Sequence, residues 1–310
     1  MTSSLKMSTR LDIMSAQEAP NMHEEKVAIV VHAFHLDALD EILSHVSALP
    51  SHHKLFVTTT EDREAAVRSR LELSGRDYAL QIVNNRGRDV LPFLLILPAL
   101  KSESFDLFIK VHTKKSMHRK DGDAWRLALM EQLLLPDVVT RLVQAFADDP
   151  RLGIVGPERH YVSFARFLGA NSRAVLAIVS RLGLSKEQAM ASGFFAGTMF
   201  MARVGAMQPL LDLGYADKDF EAENGQVDGT FAHALERCMA LGAAVLGYRI
   251  APTNNPDAVA LPNRRHAFAS ARAEPPRGIL GALMFRVREA GRKFERVIRT
   301  SLRQARKRDF

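Results

Sequence analysis

Three polar segments of the sequence carry side chains that could do chemistry, at residues 84–89, 110–115 and 221–237. The first reads NNRGRD and places amide, guanidinium and carboxylate groups around a flexible glycine. Such a set can hydrogen-bond a base and a ribose and bring positive charge near phosphates. The ordinary alternative is a tight turn whose Asp and Asn side chains cap the next helix. The nucleotide-binding candidates in this segment are Asn85, Arg86, Gly87, Arg88 and Asp89.

The second segment, KVHTKKS, begins at Lys110 and combines two adjacent lysines with a histidine and two hydroxyls. These groups suit a diphosphate, whose negative charge a binding site must neutralise. The ordinary alternative is a basic loop in solvent. His112 could instead coordinate a metal or act as a base, but no second ligand is spaced to match it. The phosphate-binding candidates here are Lys110, His112, Thr113, Lys114 and Lys115.

The third segment places three carboxylates within eight positions around a glycine-rich bend, and a helix is expected to begin near Asp228. A carboxylate near a helix start can take the proton of an attacking hydroxyl. On that helix His233 and Arg237 share one face, so Arg237 could hold a leaving phosphate and His233 could face the second substrate. The alternative is that Asp228 caps the helix while Glu236 and Arg237 are exposed.

Residues 194–202 read FFAGTMFMA, and packing is the favoured role for this apolar run. Gly197 would let the backbone approach a ligand or a neighbouring strand, which makes Gly197 and Thr198 candidates for contact with a second substrate. Cys238 is expected to be a small core residue rather than a nucleophile. Trp125 is expected in the core, with the framing of a substrate as the alternative.

The elements that must position these segments alternate between short apolar runs and helical patterns. Strands are predicted at residues 26–34, 54–59, 78–84, 105–111, 152–155 and 243–250, with 194–202 as a strand or a strand-to-helix turn. Helices are predicted at residues 37–49, 63–73, 125–146 with a break at Pro136, 164–183 and 228–241, with an apolar stretch at 90–100 and a loop or linker at 251–276. This alternation predicts an α/β fold with a mostly parallel central sheet and helices on both faces. Ligands of such sheets bind outside the carboxyl ends of the strands, where the first two polar segments follow their strands.

Composition limits the classes of protein that this chain can belong to. Its 310 residues and 47% hydrophobic content are enough for one large α/β core or two smaller ones. The single cysteine excludes an internal disulfide framework and a cysteine-based zinc site. No apolar run approaches the roughly 18 residues of a membrane span. The start of the chain lacks the apolar block of a secretion signal, so we expect a cytoplasmic location.

The net charge of +7 is local rather than global. Residues 264–310 hold 14 basic and 4 acidic residues, and the rest of the chain is slightly acidic. The body also lacks interleaved aromatic and basic residues, so nucleic acid is not an expected partner. The residues near the C-terminus place apolar side chains on one helical face and arginines on the other. Such a helix can lie on an anionic membrane surface; docking on the body and RNA contact are the alternatives.

The expected organisation is a disordered leader at residues 1–25, one folded domain at 26–255, a linker at 256–277 and a basic amphipathic helix at 278–310. With the helix as an attachment point, the protein is expected to be peripheral to the inner face of the cell membrane.

Taken together and in this order, the polar and apolar segments resemble the rhamnan synthesis protein F family of polysaccharide-assembly proteins. The matching stretches are VHAF, NRGRD, KVHTKKS, FFAGTMFMAR and ENGQVDGTFAHALER, and the similarity covers residues 26–255. Members of that family look like glycosyltransferases of rhamnose-containing polysaccharides on bacterial cell surfaces. The resemblance therefore implies transfer of a deoxysugar, rhamnose from a dTDP donor, to a growing glycan or a lipid-linked acceptor.

The strand pattern also looks like the nucleotide-sugar-binding fold called GT-A, in which the fourth strand normally ends in an Asp-x-Asp metal motif. This sequence has His112, Thr113 and Lys114 there, and no acidic residue before Asp121. That departure argues against a divalent metal and implies that Lys114 and Lys115 neutralise the phosphates.

In related transferases a carboxylate near the end of the fold acts as the base. Asp228 matches that position best and Glu223 second, which implies an inverting, single-displacement transfer. The alternative function is a non-catalytic, membrane-associated subunit of a polysaccharide assembly system.

Overall fold

The computed structural model describes residues 25–113 and 122–263. The predicted leader up to residue 24, the lysines Lys114 and Lys115, and the predicted basic helix at 278–310 lie outside the described residues. Within the two described ranges, no helix is long and apolar enough to cross a membrane.

Strands and helices alternate in the first half of the chain up to β4, as the apolar runs predicted, and the order is less regular in the second half. In the first half they are β1 Val27–His32, α1 Leu36–Val46, β2 Lys54–Thr59, α2 Glu64–Ser74, β3 Tyr78–Ile82, α3 Val90–Ser102, β4 Leu107–His112, α4 Gly122–Leu134 and α5 Pro136–Asp148. In the second half they are β5 Leu152–Gly156, β6 Tyr161–Ser163, α6 Ser172–Arg181, α7 Lys186–Ala191, β7 Gly193–Phe195, β8 Phe200–Arg203, α8 Gln208–Leu211, α9 Phe231–Val245 and β9 Arg249–Pro252.

Seven of these strands form one sheet in the order β3-β2-β1-β4-β8-β5-β9. The pairs β1–β2, β1–β4, β2–β3 and β5–β9 are parallel, and β8 is antiparallel to both of its neighbours. The prediction of a mostly parallel α/β sheet is confirmed. Central strands of such a sheet are covered on both faces, which explains why β1 and β4 read as nearly continuous apolar runs.

Helices cover both faces of the sheet, and each face has its own hydrophobic layer. On one face α3 and α9 pack over Phe108 and Phe200, and the ring of Phe93 from α3 lies 5.2 Å from Phe108. On the other face α1, α2, α4 and α5 pack over strand residues such as Ile29 and Ile109. The predicted two-faced arrangement is therefore confirmed.

The helix predicted at residues 164–183 is wrong over its first half. The chain makes short 3₁₀ turns at Phe164–Arg166 and Gly169–Asn171, and α6 begins only at Ser172. Gly169 has a φ of 57°, a left-handed conformation that a helix does not contain.

The helix expected to begin near Asp228 begins three residues later, at Phe231. Gly229 has a φ of 86°, which breaks any earlier helical turn, and Thr230 occupies the N-cap position. The helix then continues to Val245, so the strand predicted at 243–250 starts only at Arg249. Apolar residues at 243–245 extend the helical stripe rather than begin a strand.

The apolar run at 194–202 divides into β7 and the antiparallel strand β8, with a turn at residues 196–199 between them. The loop predicted from residue 251 begins later, because Ala251 and Pro252 belong to β9. The chain then stays against the domain: Ala260 donates its N–H to Ile250 at 2.8 Å, and Asn263 donates its N–H to Tyr161 at 2.9 Å.

Candidate functional site

The polar segments meet at the edge where the parallel strands β1 and β4 end. The last residues of these strands, His32 and His112, lie side by side in register. Since β8 runs antiparallel to β4 and pairs Phe200 with Lys110, the turn before β8 lies at the same edge. This carboxyl edge is where ligands of open α/β sheets bind.

A buried ion pair joins three segments at this edge. The Lys110 ammonium donates to the Asp89 carboxylate at 2.7 Å and to the Thr198 carbonyl at 2.9 Å. The Thr198 hydroxyl donates to the same carboxylate oxygen. Lys110 is 1% exposed and Asp89 is 3% exposed. Asp89 occupies the N-cap position of α3, but its side chain makes no capping hydrogen bond to the helix. The alternative in which Asp89 caps this helix is therefore wrong.

Two residues at this ion pair adopt left-handed backbone conformations that are unfavourable for side chains with a Cβ. Arg88 has a φ of 57° and Thr198 a φ of 49°; among the described residues, Ser104 alone shares this feature outside glycine. Such conformations cost about 1–3 kcal/mol each and persist where the surrounding structure enforces them, often at functional sites. The strain therefore concentrates at the Asp89–Lys110 contact.

The turn after β3 holds the third polar segment close to it. Arg86 donates to the Phe220 carbonyl at 2.8 Å, and Arg88 donates to the Glu223 carboxylate at 3.2 Å and to the Gln226 carbonyl. Gly87 has a φ of 67°, and a Cβ there would meet the Phe220 ring at 2.8 Å. Segments more than 130 residues apart are thus brought together. Asn85 lies exposed on the turn.

The second segment is built into the end of β4. His112 lies with Nε2 2.7 Å from the Gly197 carbonyl, so this nitrogen carries the proton and donates. The Thr113 hydroxyl accepts the backbone N–H groups of Phe34 and His35 at 2.6 and 2.9 Å. Thr113 therefore holds the chain that leaves β1. Burial lowers the pKa of His32 to about 4, with Asp89 acting in the opposite direction.

Gly197 lies between the side chains of Glu236 and Trp125, for which the sequence predicts no catalytic role. Its N–H donates to the Glu236 carboxylate at 3.1 Å, and a Cβ at Gly197 would meet the Trp125 ring at 2.7 Å. The Trp125 indole N–H donates to His160 at 3.2 Å. The alternative in which Glu236 is exposed is wrong, because Glu236 is partly buried. The sequence did hold a signal for Glu236: it lies three positions after His233 on α9, which puts both residues on the same face of the helix.

Asp228 fastens the loop before α6 to α9. Its carboxylate accepts the Asn171 side-chain amide at 2.5 Å, the Ala170 N–H at 3.1 Å and the Arg237 guanidinium at 3.1 Å. Burial alone would raise the pKa of Asp228, but these hydrogen bonds and the Arg237 charge hold it below its ordinary value. The alternative in which Asp228 caps the helix is wrong, because Thr230 is the N-cap residue.

The other two candidates on α9 bond to protein groups. Arg237 also donates to the Phe167 carbonyl at 2.8 Å and to the His233 carbonyl at 2.7 Å. The His233 ring nitrogen Nδ1 lies 2.7 Å from the Thr230 hydroxyl at the start of the helix. Across the described ranges, 25–113 and 122–263, no group of three or more His, Cys, Asp or Glu side chains could hold a metal ion.

Comparison with solved structures gives only loose similarity. A cytidylyltransferase from Leptospira borgpetersenii serovar Hardjo-bovis is 10% identical, with 78% of each chain covered and a TM-score of 0.39. Mouse xyloside xylosyltransferase 1 is 9% identical, with 72% of this chain and 82% of that chain covered and a TM-score of 0.33. At these TM-scores nothing about activity follows.

Comparison of sequences gives a closer relationship. The uncharacterized protein WxcX of two strains of Xanthomonas campestris pv. campestris is 39% identical over 222 residues, which cover 72% of this chain. The matched part is 32% of WxcX, so this chain spans about a third of the length of the curated relatives it matches. The family described as rhamnan synthesis protein F matches residues 2–245. Since that match covers most of the chain, the protein belongs to the rhamnan synthesis protein F family.

Proposed function

We propose that this protein is a glycosyltransferase that moves a deoxysugar, rhamnose from a dTDP donor, to a cell-surface polysaccharide or a lipid-linked glycan acceptor. The observation that carries the proposal is the buried contact of Asp89, Lys110 and Thr198, which joins three polar segments at the carboxyl edge of the sheet. Ligands of such sheets bind at that edge. Membership of a family named for rhamnan synthesis supports a sugar as the substrate.

In this proposal the donor nucleotide lies on the turn after β3, against Asn85, Arg86 and Gly87. Because Asp89 offsets the charge of Lys110 and Glu223 offsets that of Arg88, neutralisation of the diphosphate is assigned to Lys114 and Lys115. Cationic side chains can supply the charge stabilisation that a divalent metal supplies in other transferases.

The remaining candidates position the site or face the acceptor. His112 and Thr113 fix the backbone around the phosphates, and Arg237 supplies positive charge next to the leaving diphosphate. Gly197, Thr198 and His233 line the acceptor side. The acceptor hydroxyl attacks the anomeric carbon as the bond to the diphosphate breaks, and a carboxylate takes the hydroxyl proton. Asp228 and Glu223 are the carboxylates that the sequence nominates for this step.

Binding of the donor nucleotide is the first test. A ligand at 100 times its Kd stabilises a folded protein by about 2.7 kcal/mol, which raises Tm by roughly 5–10 °C for a domain of this size. We expect millimolar dTDP to raise the Tm of the full chain in this way, and Lys114→Ala/Lys115→Ala to reduce the rise. Lys101→Ala, on the surface of α3, is the matched control. If neither dTDP nor UDP changes the Tm, the proposal loses its main support.

A second function is favoured by one observation, the full engagement of Asp228 and Arg237 with protein groups. A non-catalytic subunit of a polysaccharide assembly system could retain such a site without using it. This alternative predicts that Asp228→Asn leaves polysaccharide production intact in cells. Loss of product at a normal protein level would count against it.

Attachment to an anionic membrane surface through residues 278–310 belongs to both proposals. The arginines of this segment would contribute about 1 kcal/mol each near anionic headgroups. We expect the full chain to sediment with vesicles containing anionic lipid and not with neutral vesicles, and a chain ending at residue 277 to lose this binding. Equal binding of both vesicle types would remove this part of the proposal.

A further inference from the structure

Glu236 is a partly buried carboxylate that contacts the turn before β8, at the carboxyl edge of the sheet. We propose that Glu236 accepts the proton of the acceptor hydroxyl during sugar transfer, and that Asp228 is a positioning residue. The inference rests on the proposed glycosyl transfer and names the base for that reaction. The evidence for it is the placement of the Glu236 and Asp228 carboxylates and the hydrogen bonds that each of them makes.

The bonds of Asp228 suit a structural role. Three donors from Ala170, Asn171 and Arg237 occupy its two oxygens. Each of these bonds stabilises the ionised carboxylate and reduces its tendency to take up a proton. Gly169 lies so close that a Cβ there would stand 2.1 Å from an Asp228 oxygen. The loop before α6 therefore closes directly onto this carboxylate.

Glu223, the other nominated carboxylate, is also engaged. Its Oε1 atom accepts from the Arg88 guanidinium at 3.2 Å and from the Gly225 N–H at 3.2 Å. It lies on the same loop as Gln226, whose carbonyl Arg88 also contacts. Glu223 thus holds the loop against the turn after β3, through Arg88, the residue that precedes Asp89 in the chain.

Glu236 lies next to the central ion pair. The Gly197 peptide unit is held from two sides: its N–H donates to Glu236 Oε1 at 3.1 Å, and its carbonyl accepts from His112 at 2.7 Å. The following carbonyl, that of Thr198, accepts from Lys110. The second oxygen of Glu236, Oε2, has no hydrogen-bond partner among residues 25–113 and 122–263. One oxygen is thus anchored and the other is available to a hydroxyl.

The surroundings of Glu236 suit a sugar. The Trp125 ring and the Glu236 carboxylate both contact Gly197, so an apolar surface and a hydrogen-bond acceptor flank one residue. Sugar rings present apolar C–H faces together with hydroxyl groups, and binding sites pair such surfaces with a few placed polar groups. A Cβ at Gly197 would stand 2.7 Å from the Trp125 ring, so the close approach of this ring requires glycine.

The proton transfer balances as a single displacement. The acceptor oxygen forms a bond to the anomeric carbon while the bond from that carbon to the diphosphate oxygen breaks. The bonding electrons leave with dTDP, and the hydroxyl proton passes to Glu236 Oε2. When water replaces the glycan acceptor, the same step hydrolyses the donor, which gives an assay that does not require the natural acceptor.

The test compares Glu236→Gln with Asp228→Asn in the full chain, using hydrolysis of dTDP-rhamnose and binding of dTDP. Loss of a general base lowers kcat by about 10²- to 10⁴-fold. We expect this loss in Glu236→Gln, with the Kd for dTDP changed less than about threefold and the acidic limb of the pH–rate profile removed. Asp228→Asn is expected to lower Tm and raise KM while retaining that acidic limb. Glu187→Gln, an exposed carboxylate on α7, is the control for the chemical change.

Glu236→Asp separates a chemical role from a structural one, because it keeps the carboxylate and shortens its reach. We expect an intermediate rate and an acidic limb that is still present. Full activity with an unchanged pH profile in Glu236→Gln overturns the assignment. A wild-type chain that binds no dTDP and hydrolyses no donor overturns the glycosyltransferase proposal itself, which the binding measurement reports separately.

Discussion

The Asp89→Asn substitution tests whether the buried ion pair organises the site. The replacement keeps the size of the side chain and removes its negative charge. The Lys110 ammonium, 1% exposed, then keeps two neutral acceptors, the amide oxygen and the Thr198 carbonyl. Removing one partner of a buried ion pair costs about 3–5 kcal/mol, because the remaining charge stays out of water without compensation.

This magnitude has a direct experimental readout. With a urea slope near 3 kcal/mol/M for a domain of this size, the midpoint of unfolding should fall by about 1–1.7 M. The matched control is Asp40→Asn, which breaks an ion pair of similar length, 2.8 Å to Arg70, whose side chains are partly exposed. Exposed pairs contribute at most about 1 kcal/mol, so the control should lower the midpoint by about 0.3 M or less.

A double-mutant cycle tests whether the loss of stability in Asp89→Asn comes from the uncompensated charge of Lys110. Adding Lys110→Met to Asp89→Asn replaces the uncompensated charge with an apolar chain, so the double variant should be more stable than Asp89→Asn alone. If Asp89→Asn lowers the midpoint no more than Asp40→Asn does, or if the two changes at the ion pair simply add, the reasoning about this contact is refuted.

Three further outcomes follow from individual contacts. Gly197→Ala should destabilise the protein by about 1–3 kcal/mol and shift the emission of Trp125, the single tryptophan, because the new Cβ meets its ring. Burial raises the pKa of the Cys238 thiol, so it should react with a disulfide reagent only after unfolding, as a thiol titration will show. Burial lowers the pKa of His53 to about 4, below its ordinary 6.5. The unfolded chain binds that proton more readily, so the free energy of unfolding should fall between pH 6.5 and 4, and less so in His53→Gln.

Much of the fold could be predicted because buried parallel strands have a recognisable sequence pattern, a short run rich in apolar and β-branched residues between two helical patterns. Residues 54–59 form a largely buried strand, and their sequence, KLFVTT, is rich in β-branched and aromatic residues and is bounded by helical patterns. The direction of β8 could not be predicted, since an apolar run such as FFAGTMFMA reads the same in a parallel or an antiparallel strand. The start of α9 was predicted near Asp228, three residues too early, because the left-handed Gly229 sets the boundary.

The site could be predicted as segments but not as contacts. The edge rule for parallel sheets correctly places residues 84–89 and 110–113 together. It does not say that Lys110 would bond Asp89 rather than a ligand, because that depends on burial created by α3. Glu236 was missed for a related reason: its partner, Gly197, is 39 positions away, and only the packing of α9 on the turn before β8 brings them into contact.

Release of a nucleoside diphosphate from nucleotide sugars tests the central claim most directly. The full chain is incubated with a panel of dTDP- and UDP-sugars, with and without a glycan acceptor, and the freed nucleotide is measured. We predict release from a dTDP-deoxysugar that Glu236→Gln abolishes and Glu187→Gln retains. A well-folded chain that releases nucleotide from no donor in the panel would contradict the account.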